Sequence, residues 1–441
     1  MSVRGDELVA FLYSDLSGLN RGRAVPADQL EGRLRNGVGW VPANQALTPF
    51  DVIAPVNPWG SLGDLRLVPD PETRVRVDLW PDVSPLHLLL CDAVEPDGTP
   101  WDACPRTLLR RVVAELEHET GLTLLASFEH EFFLSGTAAD PPPVFSFEAL
   151  RLIEPFAGQL TAAFRLAGRP LETFVPEYGR GQFEISLPPA EGLAAADDAA
   201  IARELVREVA RRVGRRASFA PLATPAGAGN GLHVHLSFRD EAGRPAAYDA
   251  QRPGGVSERM GQFVAGILRH LPALCAVAAP SAISYLRLVP HRWSAGHACF
   301  AERNREAALR VTPVIELPGS GNPADSFNVE FRPADGASCP HLVLALLVRA
   351  GLQGIRERLP VPPLVEGDPA ELGPADRERL GIAELPRSLA EALNVLERDE
   401  VVGSYLSPAL RTGYLALKRM EIELLAGLDD EAVCDRYLRV Y

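Results

Sequence analysis

Carboxylates and imidazoles recur in this sequence at spacings that put them on shared strand faces. In Ser127-Phe128-Glu129-His130-Glu131-Phe132-Phe133-Leu134, two acids flank a histidine inside an apolar run. Alternate residues of a strand share a face, so Glu129 and Glu131 point one way and Phe128, His130 and Phe132 the other. Two acids on one half-buried face are costly unless something neutralises them, and a divalent cation does that. A strand with a charged, exposed outer face would read the same by itself.

Further segments add to this. In Glu177-Tyr178-Gly179-Arg180-Gly181-Gln182-Phe183-Glu184, the two glycines make a turn that brings Glu177 back beside Glu184. A polar turn with incidental acids would look alike. In Gly227-Ala228-Gly229-Asn230-Gly231-Leu232-His233-Val234-His235-Leu236-Ser237, a glycine loop feeds a strand on which His233, His235 and Ser237 share one face. Neutral imidazole is the commonest protein metal ligand. Downstream stand Arg287, then Arg305 and Arg310 in Asn304–Arg310, then Glu330 and Arg332 on one strand face. Arginine pairs bidentately with carboxylate and phosphate. A solvated helix or loop face is the plainer reading of Asn304–Arg310.

The set says more than its members. Glu129, Glu131, Glu177, Glu184 and Glu330, with His233, suit two hard divalent cations, magnesium or manganese. Four arginines beside them suit a triphosphate and a carboxylate substrate.

The elements that must position these groups alternate. Strand patterns cover Val9–Tyr13, Leu86–Leu90, Leu122–Leu134, Gln182–Leu187, His233–Phe238 and Asn328–Arg332. Helical spacing follows Pro105, which suits a first helical turn. It recurs over Phe147–Leu166, Ala195–Arg216 and Ser257–Leu271, and through much of the chain from His341 onward. Asp140-Pro141-Pro142-Pro143 reads as a loop. The expected fold is α+β: a small N-terminal sheet domain over residues 1–104 and a large catalytic domain over 105–441.

Composition narrows the classes. The 441 residues carry a formal net charge of −14, which disfavours nucleic acid and anionic membranes as partners. The densest apolar run, Leu342–Val348, meets Arg349 far short of the roughly 20 residues a spanning helix needs. The N-terminal MSVRGDELVAF lacks the basic-then-apolar order of a signal peptide. Six scattered cysteines without CxxC spacing read as free thiols, so a cytoplasmic setting is expected.

In order, these motifs resemble the glutamine synthetase superfamily. The carriers are E-H-E at 129–131, E-Y-G-R-G-Q-F-E at 177–184, G-N-G-L-H-V-H-L-S at 229–237, L-R-L-V-P at 286–290, N-R-E-A-A-L-R at 304–310 and N-V-E-F-R-P-A-D-G at 328–336. D-L-S-G-L-N-R-G-R-A-V-P near the start and G-D-L-R-L-V-P-D at 63–70 extend the likeness over nearly the whole chain. The resemblance implies a β-grasp-like N-terminal domain and a catalytic domain built on a curved antiparallel sheet flanked by helices. It implies that Glu131, Glu177 and Glu184 hold one metal, and that Glu129, His233 and Glu330 hold a second. It casts His235, Ser237 and Arg310 as nucleotide contacts and Arg305 as a catalytic group at the transferring phosphoryl. Arg287 and Arg332 are cast as binders of substrate carboxylates. The implied reaction uses ATP to phosphorylate a side-chain carboxylate, usually that of glutamate, and an amine then attacks the acyl phosphate. The implied assembly is a homo-oligomer, a dodecamer of two stacked hexameric rings.

Three departures bear on the substrates. Ammonia-using members carry F-D-G-S-S in the N-terminal domain, where this chain reads Ala46-Leu47-Thr48-Pro49-Phe50-Asp51-Val52-Ile53, leaving Asp51 as a partial counterpart. They also carry a flap glutamate after L-V-P, where this chain has Trp293. Ala228 stands where an asparagine near the glutamate substrate is usual. The expected activity is therefore a glutamate–amine ligase making a γ-glutamylamide from a primary amine other than ammonia. The alternatives are an ordinary glutamine synthetase, a ligase for another acid, and a non-catalytic assembly protein of the same fold.

Overall fold

The computed structural model describes residues 6–137, 142–319 and 321–441. Of the expected proline loop, Asp140 and Pro141 lie outside the described residues. Two sheets divide the strands. A six-stranded sheet takes all its strands from before residue 95, and a ten-stranded sheet takes all of its strands from after residue 122.

In the first sheet, Leu8–Ser14 pairs antiparallel with Asn20–Pro26 and parallel with Leu86–Val94. Leu65–Pro69 and Val75–Val77 both pair with Leu86–Val94, and Val38–Trp40 pairs with Leu65–Pro69. The short helix Leu30–Asn36 follows the first hairpin. This is the expected β-grasp-like arrangement.

The second sheet is antiparallel except where His297–Glu302 runs parallel to Ala307–Val311. Its central members are Ala307–Val311, Val329–Phe331, Leu232–Arg239, Thr123–Leu134, Gln182–Ser186 and Thr173–Pro176, in that spatial order. Thr123–Leu134 alternates without a break between buried and half-buried residues. Phe128, His130 and Phe132 enter the core, so Glu129 and Glu131 must face outward into a cleft.

Helices cover the buried face. Pro105–Thr120 starts on its proline and stops at Gly121, whose φ of +67° is a left-handed cap. Gly192–Arg212, Glu258–Ala278 and Pro340–Arg356 pack behind the sheet. Glycines let the last two touch backbone to backbone: a Cβ on Gly266 would lie 2.0 Å from the Ala350 carbonyl oxygen. Glu258–Ala278 is long and apolar enough to cross a membrane, but 83% of its most apolar stretch is buried inside the fold. That burial accounts for its composition.

Arg106 ties the first sheet to the helix Gly192–Arg212. It donates to both oxygens of Asp197 at 2.8 Å, to Asp92 at 2.8 Å and to Asp70 at 2.7 Å, while His341 Nε2 sits 2.8 Å from Asp197. A buried cation with three carboxylate partners is satisfied, and losing one partner would strand charge in the interior. A continuous apolar core, including Phe11, Trp40, Leu109 and Phe128, runs across the same junction.

The structure corrects several expected elements. Phe147–Leu166 is two helices, Phe147–Arg151 and Phe156–Leu166, because Pro155 cannot donate into a continuing helix. The helix expected to end at Leu271 runs through Pro272 to Ala278, held by burial on several sides. The end of Asn304–Arg310 is neither helix nor solvated loop. Ala307–Val311 is a fully buried strand between two others.

Candidate active site

Register brings the acids together. Glu129 lies opposite His233, Glu131 opposite Glu184, and Glu330 opposite both His235 and Arg310. One residue of slip in any pair would turn these side chains into the core, so the alternating apolar pattern is what fixes the site.

Two groups result. Ligand atoms of Glu129, His233 and Glu330 lie within 4.8 Å of one another, and so do those of Glu131, Glu184 and His233. His233 therefore stands between them, with Nδ1 3.2 Å from Glu129, Nδ1 3.5 Å from Glu330 and Nε2 3.9 Å from Glu131. Carboxylate oxygens with a single imidazole suit a hard divalent ion. Glu177 is beside this set rather than in it. It follows the strand Thr173–Pro176, and its carboxylate accepts from the Tyr178 N–H at 3.2 Å.

Crowding shows in the acidities. Burial, then the charges of Glu129 and Glu131, pushes the Glu184 carboxyl well above the usual carboxylate range. Burial and then Glu131 also raise Glu177. Glu129 goes the other way: burial opposes its charge, but His233 and His235 hold it well below the usual range. Burial likewise opposes charge on Glu330, yet Arg332, His233, His235 and Arg310 hold it at about 2. His235, though half-buried, is raised to about 9 by its bond to Glu129. Adjacent carboxyls driven in opposite directions mark a place where charge is managed closely.

The arginines divide. Arg310 and Arg332 both donate to Glu330. Arg332 also donates to the carbonyls of Arg305 and Trp293, at 3.0 and 2.9 Å. Arg305 itself is exposed at the turn before Ala307–Val311. Arg287 is only 2% exposed and donates to the Pro333 and Ala334 carbonyls at 2.5 and 2.9 Å. It packs so tightly on Gly229 that a Cβ there would lie 2.4 Å from Arg287 Cγ. The structure thus puts Arg287 beneath the glycine loop, not in the open cleft.

His235 Nδ1 pairs with Asn328 Oδ1 at 2.8 Å and Nε2 with Glu129 at 3.2 Å, while Ser237 Oγ donates to the Phe327 carbonyl at 2.7 Å. Asp51 forms an ion pair with Arg21 at 2.9 Å, and its side chain is 77% exposed. Trp293 is 68% exposed and has a φ of +55°, which costs a bulky residue energy. Its segment is pinned by Arg332 and by Ser294, whose hydroxyl donates to the Arg287 carbonyl at 2.6 Å.

Sequence reasoning put Gln182 on the strand face of Glu184 but gave neither it nor Asn230 a role. The Gln182 amide donates to Glu131 at 3.1 Å, the Gly229 carbonyl at 2.8 Å and Asn230 Oδ1 at 2.9 Å. Asn230 in turn donates to the Ala220 carbonyl at 2.9 Å. Together they lock the glycine loop onto the acidic strand.

Comparison with known proteins agrees with this geometry. The glutamine synthetase catalytic-domain family matches residues 102–437, and the glutamine synthetase N-terminal domain family matches residues 2–101. A gamma-glutamylpolyamine synthetase of Streptomyces coelicolor is 36% identical over 99% of this chain and 94% of its own length. A glutamine synthetase of Clostridium saccharobutylicum is 30% identical over 95% of this chain and 92% of its own length. Among solved structures, a novel glutamine synthase homologue superposes with a TM-score of 0.92 at 46% identity, covering 100% of both chains. A complex of GmaS with ADP superposes with a TM-score of 0.81 at 27% identity, covering 97% of this chain and 96% of its own. The chain belongs to the glutamine synthetase family and is an ATP-dependent, divalent-metal-using ligase that joins an acid to an amine.

Proposed function

We propose that the protein joins the γ-carboxylate of glutamate to a primary amine other than ammonia, giving a γ-glutamylamide. The carrying observation is the pair of acid–histidine groups sharing His233, with Arg310 and Arg332 alongside. In this reading Glu131, Glu177 and Glu184 hold one Mg²⁺ or Mn²⁺, and Glu129, His233 and Glu330 hold another. Such ions, when bound, offset charge on the phosphoryl oxygens in flight.

The chain's own residues do the rest. His235, Ser237 and Arg310 line the nucleotide side. Arg305, exposed beside the cluster, meets the transferring phosphoryl. Arg332 meets the carboxylate of the acid, with Arg287 holding the floor beneath it. The γ-phosphoryl passes to the acid's carboxylate oxygen and ADP leaves. The amine nitrogen then bonds to the acyl carbon, phosphate departs with the bonding pair, and the nitrogen sheds a proton. Water must be kept out, because it competes for the acyl phosphate.

Two features support an amine larger than ammonia. The flap presents Trp293 where a cation-holding acid is usual, and an aromatic face binds a substituted ammonium. Asp51 is engaged by Arg21, itself paired with Asp15 at 2.7 Å. The Streptomyces coelicolor relative, named for polyamines, favours the same class of reaction.

The reading extends to organisation. Residues 1–104 form an N-terminal domain and 105–441 the catalytic domain, assembled as two hexameric rings in the cytoplasm. Exposed Val56 and Leu62, near Asp51, support a neighbour covering that stretch. Light scattering gives the assembly mass directly.

The test is a mass-spectrometric product screen with glutamate, ATP, Mg²⁺ or Mn²⁺ and an amine panel. The expected outcome is a γ-glutamylamide with matching ADP and phosphate, and none after chelation. Product formation that survives chelation sinks the metal assignment. Ammonium winning on kcat/KM sinks the amine assignment.

A further inference from the structure

Residues 288–296 link the helix Ser284–Arg287 to the strand His297–Glu302 and carry the Trp293 flap. Two of them, His291 and Trp293, have φ of +66° and +55°, a region that side chains with a Cβ rarely adopt. Residues in such conformations keep them only where the surroundings dictate the shape. Here anchors on several sides do so. The Glu306 carboxylate accepts from the His291 N–H at 3.0 Å. Arg332 donates to the Trp293 carbonyl at 2.9 Å, and Ser294 to the Arg287 carbonyl at 2.6 Å. Arg292 donates to the Pro225 carbonyl at 2.8 Å, just ahead of the glycine loop. The His291 imidazole also faces Asp368, 3.4 Å away, in an exposed pair of small weight.

Two of these anchors lead to one place, the turn that carries Arg305. Glu306 is the next residue in the chain. Arg332, besides holding Trp293, donates to the Arg305 carbonyl at 3.0 Å and to Glu330. The flap and the Arg305 turn are therefore tied twice, once through a guanidinium and once through a carboxylate. On the other side of Arg305, Asn304 holds the turn without holding the flap. Its Nδ2 donates to the Gly367 carbonyl at 2.7 Å, and its Oδ1 accepts from the Glu306 N–H at 3.0 Å.

We infer that Glu306 is a positioning residue that seats the Trp293 flap against the Arg305 turn, so that the acyl phosphate stays covered until the amine attacks. The inference rests on the ligase reading above, which puts Arg305 at the transferring phosphoryl and the flap on the amine side. An uncovered acyl phosphate meets water. The water oxygen then bonds to the acyl carbon, phosphate leaves with the bonding pair, a water proton passes to solvent and the free acid returns. ATP is consumed and no amide forms. What Glu306 supplies is an acceptor oxygen at the right reach, because its partner is a neutral backbone N–H.

The test measures amide by mass spectrometry and ADP in the same reactions, using intact protein, glutamate, ATP, Mg²⁺ and the best amine of the panel. Glu306→Ala removes the acceptor. Glu306→Asp keeps the charge but draws the acceptor back by one methylene. Both should raise the ADP formed in excess of amide by about five-fold, the weight of one net hydrogen bond. Glu306→Gln keeps an acceptor oxygen at the same reach and should stay within about two-fold of wild type. Asn304→Ala, which loosens the turn alone, should slow ADP release by about five-fold with amide per ADP unchanged. A merely structural role for Glu306 would move neither this ratio nor its rescue by glutamine. If Glu306→Ala fails to fold, the contrast between Glu306→Asp and Glu306→Gln decides. Amide per ADP unmoved in the alanine and aspartate variants, equal damage in the glutamine variant, or equal uncoupling in Asn304→Ala overturns the positioning role and leaves the ligase standing. Wild-type protein that makes no γ-glutamylamide with any amine overturns both.

Discussion

The acid-rich end of the cleft and its amine-facing end are built from different materials. Glu129, Glu131, Glu184, His233 and Glu330 all stand on strands: Glu129 is opposite His233, Glu131 opposite Glu184, and Glu330 opposite His235 and Arg310. Their positions follow from the sheet, and a sheet tolerates no half-residue adjustments. The end proposed to face the amine is made of turns, the Trp293 flap and the Glu177–Gln182 turn. Turns accept changes in length and side chain without unfolding the scaffold beneath them. In the proposed reading, the phosphoryl chemistry is carried by the sheet and the choice of amine by the loops.

The sharpest way to break this division is Glu131→Ala. It should lower turnover with every amine by roughly 10³-fold or more, as loss of a charge-stabilising group does. Steady-state ADP release across the amine panel checks it, and near-normal rates would remove Glu131 from the metal set. Gln182→Ala comes next. Its amide orients Glu131 and the glycine loop, so metal affinity or activity should fall by about 10–100-fold, equally for all amines. Titration of Mn²⁺ measures this, and an amine-dependent loss would move Gln182 to the other end of the comparison. The smallest effect is expected from Trp293→Ala. Loss of an exposed cation–π contact is worth about 0.5–1 kcal/mol, a few-fold in KM for the amine, with KM for ATP unmoved. A uniform fall in kcat would assign Trp293 to the phosphoryl end instead.

Much of the acid-rich end was legible in sequence because strand periodicity is short and strict. Once Phe128 and Phe132 are buried, Glu129 and Glu131 have one face left to occupy. His233 and Glu330 follow by the same reasoning. What escaped was anything set by three-dimensional proximity. His233 standing between both acid groups depends on which strands are neighbours, not on its place in the chain. The burial of Arg287 beneath Gly229 depends on how the chain turns after a short helical stretch, Ser284–Arg287. Pro155 splitting a helix was visible as a residue but was outweighed by the helical spacing around it.

Composition, alternation and the order of six motifs determined that this chain forms an α+β ligase scaffold with acids facing a cleft, because local period and residue chemistry act over a few residues at a time. Tertiary structure alone decided that two acid groups share one imidazole and that Arg310 and Arg332 converge on Glu330. Each of those depends on distances between segments far apart in sequence, and the packing of sheet against helix and loop against strand is what sets such distances.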